Sequence, residues 1–214
     1  MKFYDREKEI AQLRQWEELS LEYAQMTVVV GRRRIGKTTL IKKAMEGRMT
    51  LYFFVAKKNE TLLCEEFVEL IRVVLNVKIV GQLTDFKSIF EYLMQLSTER
   101  HFTLIIDEFQ EFFNINSSVY SDMQNIWDTY RKKSKMNLIV SGSVYSLMQK
   151  IFQNNKEPLF GRADNIIKLS AFDLTTLKEI MRDYNFNYTN DDLLALYSFT
   201  GGVPKYVELF CDNS

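Results

Sequence analysis

The chain is poor in the residues that build covalent or metal frameworks. Its 214 positions include two cysteines, Cys64 and Cys211, far apart and in no metal or redox spacing, and one histidine, His101. That argues against a zinc centre and a disulfide scaffold, and makes the cytoplasm the expected compartment. Only two prolines, Pro158 and Pro204, interrupt the chain, and neither a repeat nor a low-complexity tract is present. No sharp domain boundary is therefore expected before about residue 170. The N-terminus lacks an apolar signal core and no later apolar run approaches ~20 residues, so neither a leader nor a membrane span is expected. Charge of one sign is missing too. With 28 basic and 28 acidic residues, no net field draws in nucleic acid or anionic membrane, although local patches are allowed. What is abundant is apolar surface: 46% hydrophobic residues suffice for one sizeable core.

Against this background Gly31-Arg32-Arg33-Arg34-Ile35-Gly36-Lys37-Thr38 stands out, with the G-x-x-x-x-G-K-[ST] spacing of a phosphate-binding loop. The apolar run Met26 to Val30 before it reads as a buried strand, and Thr39-Leu40-Ile41 opens a helical pattern. Glycines at positions 31 and 36 let the backbone turn tightly and aim N–H groups at phosphate, reinforced by the dipole of the following helix. Lys37 is expected to reach the outer phosphates, and the Thr38 hydroxyl to join a Mg²⁺ shell. Gly31, Arg34, Gly36, Lys37, Thr38 and Thr39 form the expected nucleotide-binding set.

Around this loop the periodicities predict alternating strands and helices. A first helix carries Ile10, Leu13, Trp16 and Leu19 on one face, capped by Asp5. Phe3 and Tyr4 before it either pack on a base or staple the start of the helix. Helices are expected over Thr38–Glu46, ended by Gly47, then over Thr61–Leu75, Phe86–Leu96, from Ser118 and over Val144–Phe152. Strands are expected at Leu51–Ala56, Phe102–Glu108, Asn137–Val140 and Asn165–Leu169. The strand ending in Asp107-Glu108 matters most: beside a phosphate loop, Asp107 suits the Mg²⁺ shell and Glu108 suits polarising the attacking water. Ser141 or Ser143, after the next strand, either faces the terminal phosphate or caps a helix. Arg131, Lys132, Lys133 and Lys135 read as a solvated last helical turn or as a basic patch. Arg162 is either a surface charge or an arginine that reaches a γ-phosphate within its own subunit or a neighbour's. A helix has only just begun at Pro204, which raises the expectation of a longer natural polypeptide.

Phe3-x-x-Arg6-Glu7-x-Glu9, the arginine-rich phosphate loop, Leu104-Ile105-Ile106-Asp107-Glu108, Ser141-Gly142-Ser143, Phe160-Gly161-Arg162 and Thr200-Gly201-Gly202-Val203-Pro204 together resemble the archaeal-type ATPase family. That family is similar to AAA+ proteins and is grouped with the MNS-type signal-transduction ATPases with numerous domains. The resemblance implies an α/β fold: a P-loop NTPase core over residues 1–171, with a five-stranded parallel sheet in the order 5-1-4-3-2 sandwiched by helices. A small helical lid is implied over 172–214. It further implies that Phe3, Arg6 and Glu7 border the adenine, that Ser141 or Ser143 acts as a sensor, and that Arg162 is the phosphate-reaching arginine. Where AAA+ proteins often place a lid arginine, this chain has Gly202-Val203-Pro204, so Pro204 joins the expected nucleotide contacts while Lys205 is a poor substitute for that arginine.

The function expected is an ATP-dependent switch with Mg²⁺-dependent hydrolysis and ATP/ADP as ligands. Self-association through Arg162 and an effector or further domain are the expected partners, and no membrane. The alternatives are a signalling or scaffold module with negligible turnover, or a DNA-associated motor, which strongly salt-dependent DNA binding would mark.

Overall fold

The computed structural model describes residues 2–184 and 187–212. Helix α1 (Glu7–Leu19) precedes β1 (Gln25–Val30), followed by α2 (Lys37–Ala44), β2 (Thr50–Phe54), α3 (Glu60–Leu75), α4 (Phe86–Leu96) and β3 (Phe102–Asp107). A 3₁₀ turn (Phe109–Glu111), α5 (Phe112–Ile115) and α6 (Ser118–Tyr130) lead to β4 (Met136–Gly142). Then come α7 (Tyr145–Gln153), β5 (Asn165–Lys168), α8 (Leu174–Tyr184), α9 (Asn190–Thr200) and α10 (Pro204–Asp212). Among these helices none is long and apolar enough to cross a membrane.

The strands pair in the order β2-β3-β4-β1-β5, all parallel, which is the order the family resemblance implies. β1, β3 and β4 are buried along their whole length, as central strands of a sheet covered on both faces must be. Alternation along β1 divides the core. Met26, Val28 and Val30 join Phe53, Leu104, Ile106, Leu138 and Val140 on the face covered by α3, α4, α6 and α7. Val29, Ile105, Ile139 and Ile167 face α1 and α2. Phe53 of β2 stacks on Phe67 of α3 with ring centroids 4.1 Å apart, locking that edge of the sheet. A third apolar cluster joins α8, α9 and α10 through Phe172, Leu177, Ile180, Leu196 and Val207, with Tyr4 inserted into it.

Several helix ends differ from the sequence expectation. Asp5 lies at φ 45 and does not cap α1; Arg6 occupies the cap position, and its N–H donates to the Glu7 carboxylate at 3.0 Å. Leu19 faces out and Glu17 is buried instead, because Glu17 is paired with Arg48 at 3.1 Å. α2 ends at Ala44, and Gly47 (φ 79) serves the turn beyond it. The basic run begins just after α6, and its first member, Arg131, pairs with Asp164.

A parallel sheet places every strand's C-terminal end at one edge. The loops after β1, β3 and β4 therefore meet, with Val30 opposite Gly142 and Ile106 opposite Val140.

Candidate functional site

The phosphate loop leaves β1 at Gly31. Gly31 is required by close approach: a Cβ would lie 2.9 Å from the Leu169 carbonyl oxygen and 3.0 Å from Ile35 Cγ2. Gly36 is required by conformation, at φ 90 immediately before α2. Arg34 holds a left-handed φ of 68 without being glycine. Lys37 is buried, and its ammonium donates to the carbonyls of Gly31 at 2.8 Å and Arg32 at 3.3 Å. Burial pushes its pKa below the ordinary lysine value, opposed by the nearby Glu108 and Asp107 carboxylates.

Asp107 ends β3 with both oxygens engaged. Oδ2 accepts from the Thr38 hydroxyl and from the Tyr52 hydroxyl, each at 2.7 Å; Oδ1 accepts from Ser141 Oγ at 2.5 Å and from the Glu108 N–H at 3.0 Å. Burial raises its pKa, but the hydrogen bonds from Ser141, Thr38 and Tyr52 outweigh it and hold the carboxyl below its usual range. Ser141 thus turns sideways to Asp107 rather than towards the phosphate position, because a buried carboxylate beside it demands donors. Tyr52 is pushed up by its own burial and by the Asp107 contact, so it stays a donor. Lys42 lies over its ring at 4.4 Å.

Glu108 sits in a left-handed conformation, φ 55, which swings its side chain off the strand direction. Its Oε2 accepts from Ser143 Oγ at 2.7 Å and from Gln110 Nε2 at 2.5 Å. Ser143 accordingly makes no cap bond to α7, whose cap position is Val144.

A cavity of about 560 Å³ opens above the loop. Gly36, Lys37, Thr38, Thr39 and Arg34 form its floor together with Glu108, while Phe3 and Arg6 line it from the N-terminal segment and Pro204 from α10. Glu7 does not line it. Its carboxylate lies below the ordinary glutamate pKa because backbone N–H groups, its own and that of Arg6, donate to it. Arg6 faces the cavity only in part: its guanidinium donates to the Ser170 carbonyl at 2.7 Å and packs on Phe172 at 5.3 Å. The backbone N–H of Lys205 reaches the Arg34 carbonyl at 3.4 Å, and the Arg34 guanidinium lies 5.3 Å from the Tyr206 ring. The first turn of α10 thus rests on the phosphate loop, and the Lys205 ammonium is engaged by Glu208 at 2.6 Å.

Arg162 is placed elsewhere. It precedes β5, where Asp164 is bonded to Met26 at the start of β1, so it lies at the edge of the sheet opposite the phosphate loop. The six residues of β1 separate these edges by roughly 20 Å. Its guanidinium is instead held by both oxygens of Asp128, at 2.8 and 3.3 Å. Reach to a phosphate within its own subunit is corrected by this placement. Sequence reasoning missed Tyr52 and Gln110. Tyr52 carries no motif and meets Asp107 only through the β2–β3 register, in which Phe54 is opposite Asp107. Gln110 had a signal, being a polar residue between Phe109 and Phe112 in a buried turn.

A family model described as an ATPase domain predominantly from Archaea matches residues 3–210. An uncharacterized protein of Methanocaldococcus jannaschii is 30% identical over 206 residues, covering 96% of this chain and 43% of that protein. The chain thus spans less than half of that relative's length. An uncharacterized ATP-binding protein of the same organism is 26% identical over an alignment of 260 residues, covering 100% of this chain and 71% of that protein. Among solved structures, a Walker-type ATPase of Pyrococcus abyssi superposes with a TM-score of 0.70 at 20% identity, over 99% of this chain and 69% of the other.

Proposed function

The chain belongs to the family of ATPase domains found predominantly in Archaea, and from that premise we propose that it is a Mg²⁺-dependent ATP hydrolase working as a nucleotide switch. The observation that carries this reading is the Thr38 hydroxyl held 2.7 Å from a buried Asp107 carboxylate beside Lys37, on the floor of an open cavity. Those two oxygen donors fit a hard cation. A Mg²⁺ ion there would be held by Thr38, Asp107 and the substrate's own phosphate oxygens. When bound, that ion would neutralise phosphate charge.

In this reading the N–H groups of residues 34–38 and the α2 dipole bind the phosphates, and Lys37 exchanges its two loop carbonyls for phosphate oxygens. Glu108 orients the attacking water. Ser141 acts through Asp107 and Ser143 through Glu108, so any sensing by these serines runs through the two acids. Residues 172–214 act as the lid; of these, 185–186 and 213–214 lie outside the described residues. Phe3, Arg6 and Pro204 border the adenine side of the cavity. Phosphate arriving at the Arg34 turn disturbs the contact with the first turn of α10, and α8–α10 move in response.

Glu108→Gln tests the hydrolytic part. It is expected to bind ATP at least as tightly as the parent and to turn over at least ~10²-fold more slowly, the lower contribution of a positioned base. Parental turnover in this variant, or a parent that binds ATP without turning it over, refutes hydrolysis and leaves a nucleotide-binding module.

A further inference from the structure

Gln110 is a buried polar side chain that the hydrolytic reading leaves without a role. It is 1% exposed, in the 3₁₀ turn after β3. Its Nε2 donates to Glu108 Oε2 at 2.5 Å, whereas its Oε1 is buried without a hydrogen-bond partner among the described residues. Oε1 sits against Gly142 at the end of β4, where any Cβ would overlap it and would lie 2.5 Å from Met148 Sδ. Two costs are thus concentrated beside Glu108: an amide carbonyl buried without a donor, and a non-glycine residue in the left-handed region. A buried orphan of this kind calls for compensating interactions, and Nε2 supplies them: the short bond to Glu108 and a longer one to Glu111 Oε1 at 3.4 Å.

We propose that Gln110 is a positioning residue for Glu108. Together with Ser143 it holds Oε2 from two sides, from β3's own turn and from the end of β4, so the carboxylate keeps one orientation at the cavity wall. Oε1 of Glu108, which accepts no hydrogen bond from the described residues, is left to take a proton or align a water. Gly142 makes room for the amide that does this. The inference rests on the hydrolytic role of Glu108, and its test separates the two.

The full chain is compared as parent, Gln110→Met, Ser143→Ala and Glu108→Gln, with ATP turnover, the ATP-induced rise in melting temperature and the ligand-free melting temperature measured for each. Methionine keeps the length and volume of glutamine but donates nothing. The expected result for Gln110→Met is kcat lowered about tenfold, the worth of one such hydrogen bond. The ATP-induced rise should be kept, and the ligand-free melting temperature should equal or exceed the parent's because the orphaned carbonyl is gone. Ser143→Ala, which removes the other donor, should lower kcat with its ATP response likewise kept. A fall in melting temperature for Gln110→Met means a structural role and overturns the inference. Parental kcat in Gln110→Met with Glu108→Gln slow overturns it, whatever Ser143→Ala does, while leaving the catalytic role of Glu108 standing. Parental kcat in Glu108→Gln overturns both.

Discussion

Asp107→Asn removes a charge and alters almost nothing in shape, which makes it the sharpest probe of the site's electrostatics. Four donors converge on this carboxylate: the hydroxyls of Thr38, Tyr52 and Ser141 and the Glu108 N–H. In the variant the amide oxygen must stay with the Glu108 N–H, which cannot accept. The new NH₂ then faces Thr38 and Tyr52, whose hydroxyls can rotate to accept from it. Geometry is largely recoverable, so the loss is one of charge assistance. A hydrogen bond to a charged group contributes about 1.5–3 kcal/mol against about 0.5–1.5 for a neutral one, so three hydroxyls forfeit roughly 3 kcal/mol. Relief of the desolvation that opposes the charge offsets part of this, leaving a net cost of about 1–2 kcal/mol. For a chain of this length that is a drop of about 2–8 °C in melting temperature at pH 7. The pH dependence has a definite sign. The folded-state pKa of Asp107 is lowered from 3.8, so its contribution is fully present above 3.8 and is lost as pH falls through the folded value. Urea unfolding of parent and variant should give a constant gap from pH 7 to about pH 5, narrowing below pH 4. Equal stability at pH 7, or a gap unchanged at pH 3, would refute the argument that the hydroxyls hold Asp107 ionised.

Two further outcomes follow from the same geometry. Lys37→Ala should lose the ATP-induced rise in melting temperature, which for the parent at ~100 times its dissociation constant corresponds to ~2.7 kcal/mol, or roughly 5–11 °C; an unchanged response would remove the phosphate site. Arg162→Ala, which removes the pair with Asp128 and an exposed hydrogen bond to the Phe160 carbonyl, should keep parental ATP binding and turnover in dilute, monomeric protein and lose at most about 1 kcal/mol. If activity instead falls and returns on mixing with Glu108→Gln protein, Arg162 acts across a subunit boundary.

The parts of the site carried by adjacent residues were legible in the chain. Gly36-Lys37-Thr38 follows an apolar run directly, and Asp107-Glu108 ends one, so each half could be placed on a strand–loop edge from local pattern. The strand order came from resemblance, because period-2 alternation tells which face a residue takes but not which strand lies beside it.

What the linear chain determined by itself is therefore the position of the phosphate-loop motif and of the acid pair, and the five strands around them, all properties of neighbours in sequence. Tertiary structure alone decided the rest. It turned Ser141 to Asp107 and Ser143 to Glu108, and brought Tyr52 across from β2. It also sent Arg162 to the opposite edge of the sheet, because a residue preceding a parallel strand and one following its neighbour lie a full strand length apart. Hydrogen-bond demand of a buried carboxylate is satisfied by whatever donors the strand register brings within about 3 Å. That register is written in the packing of two sheet faces, not in the spacing of any motif.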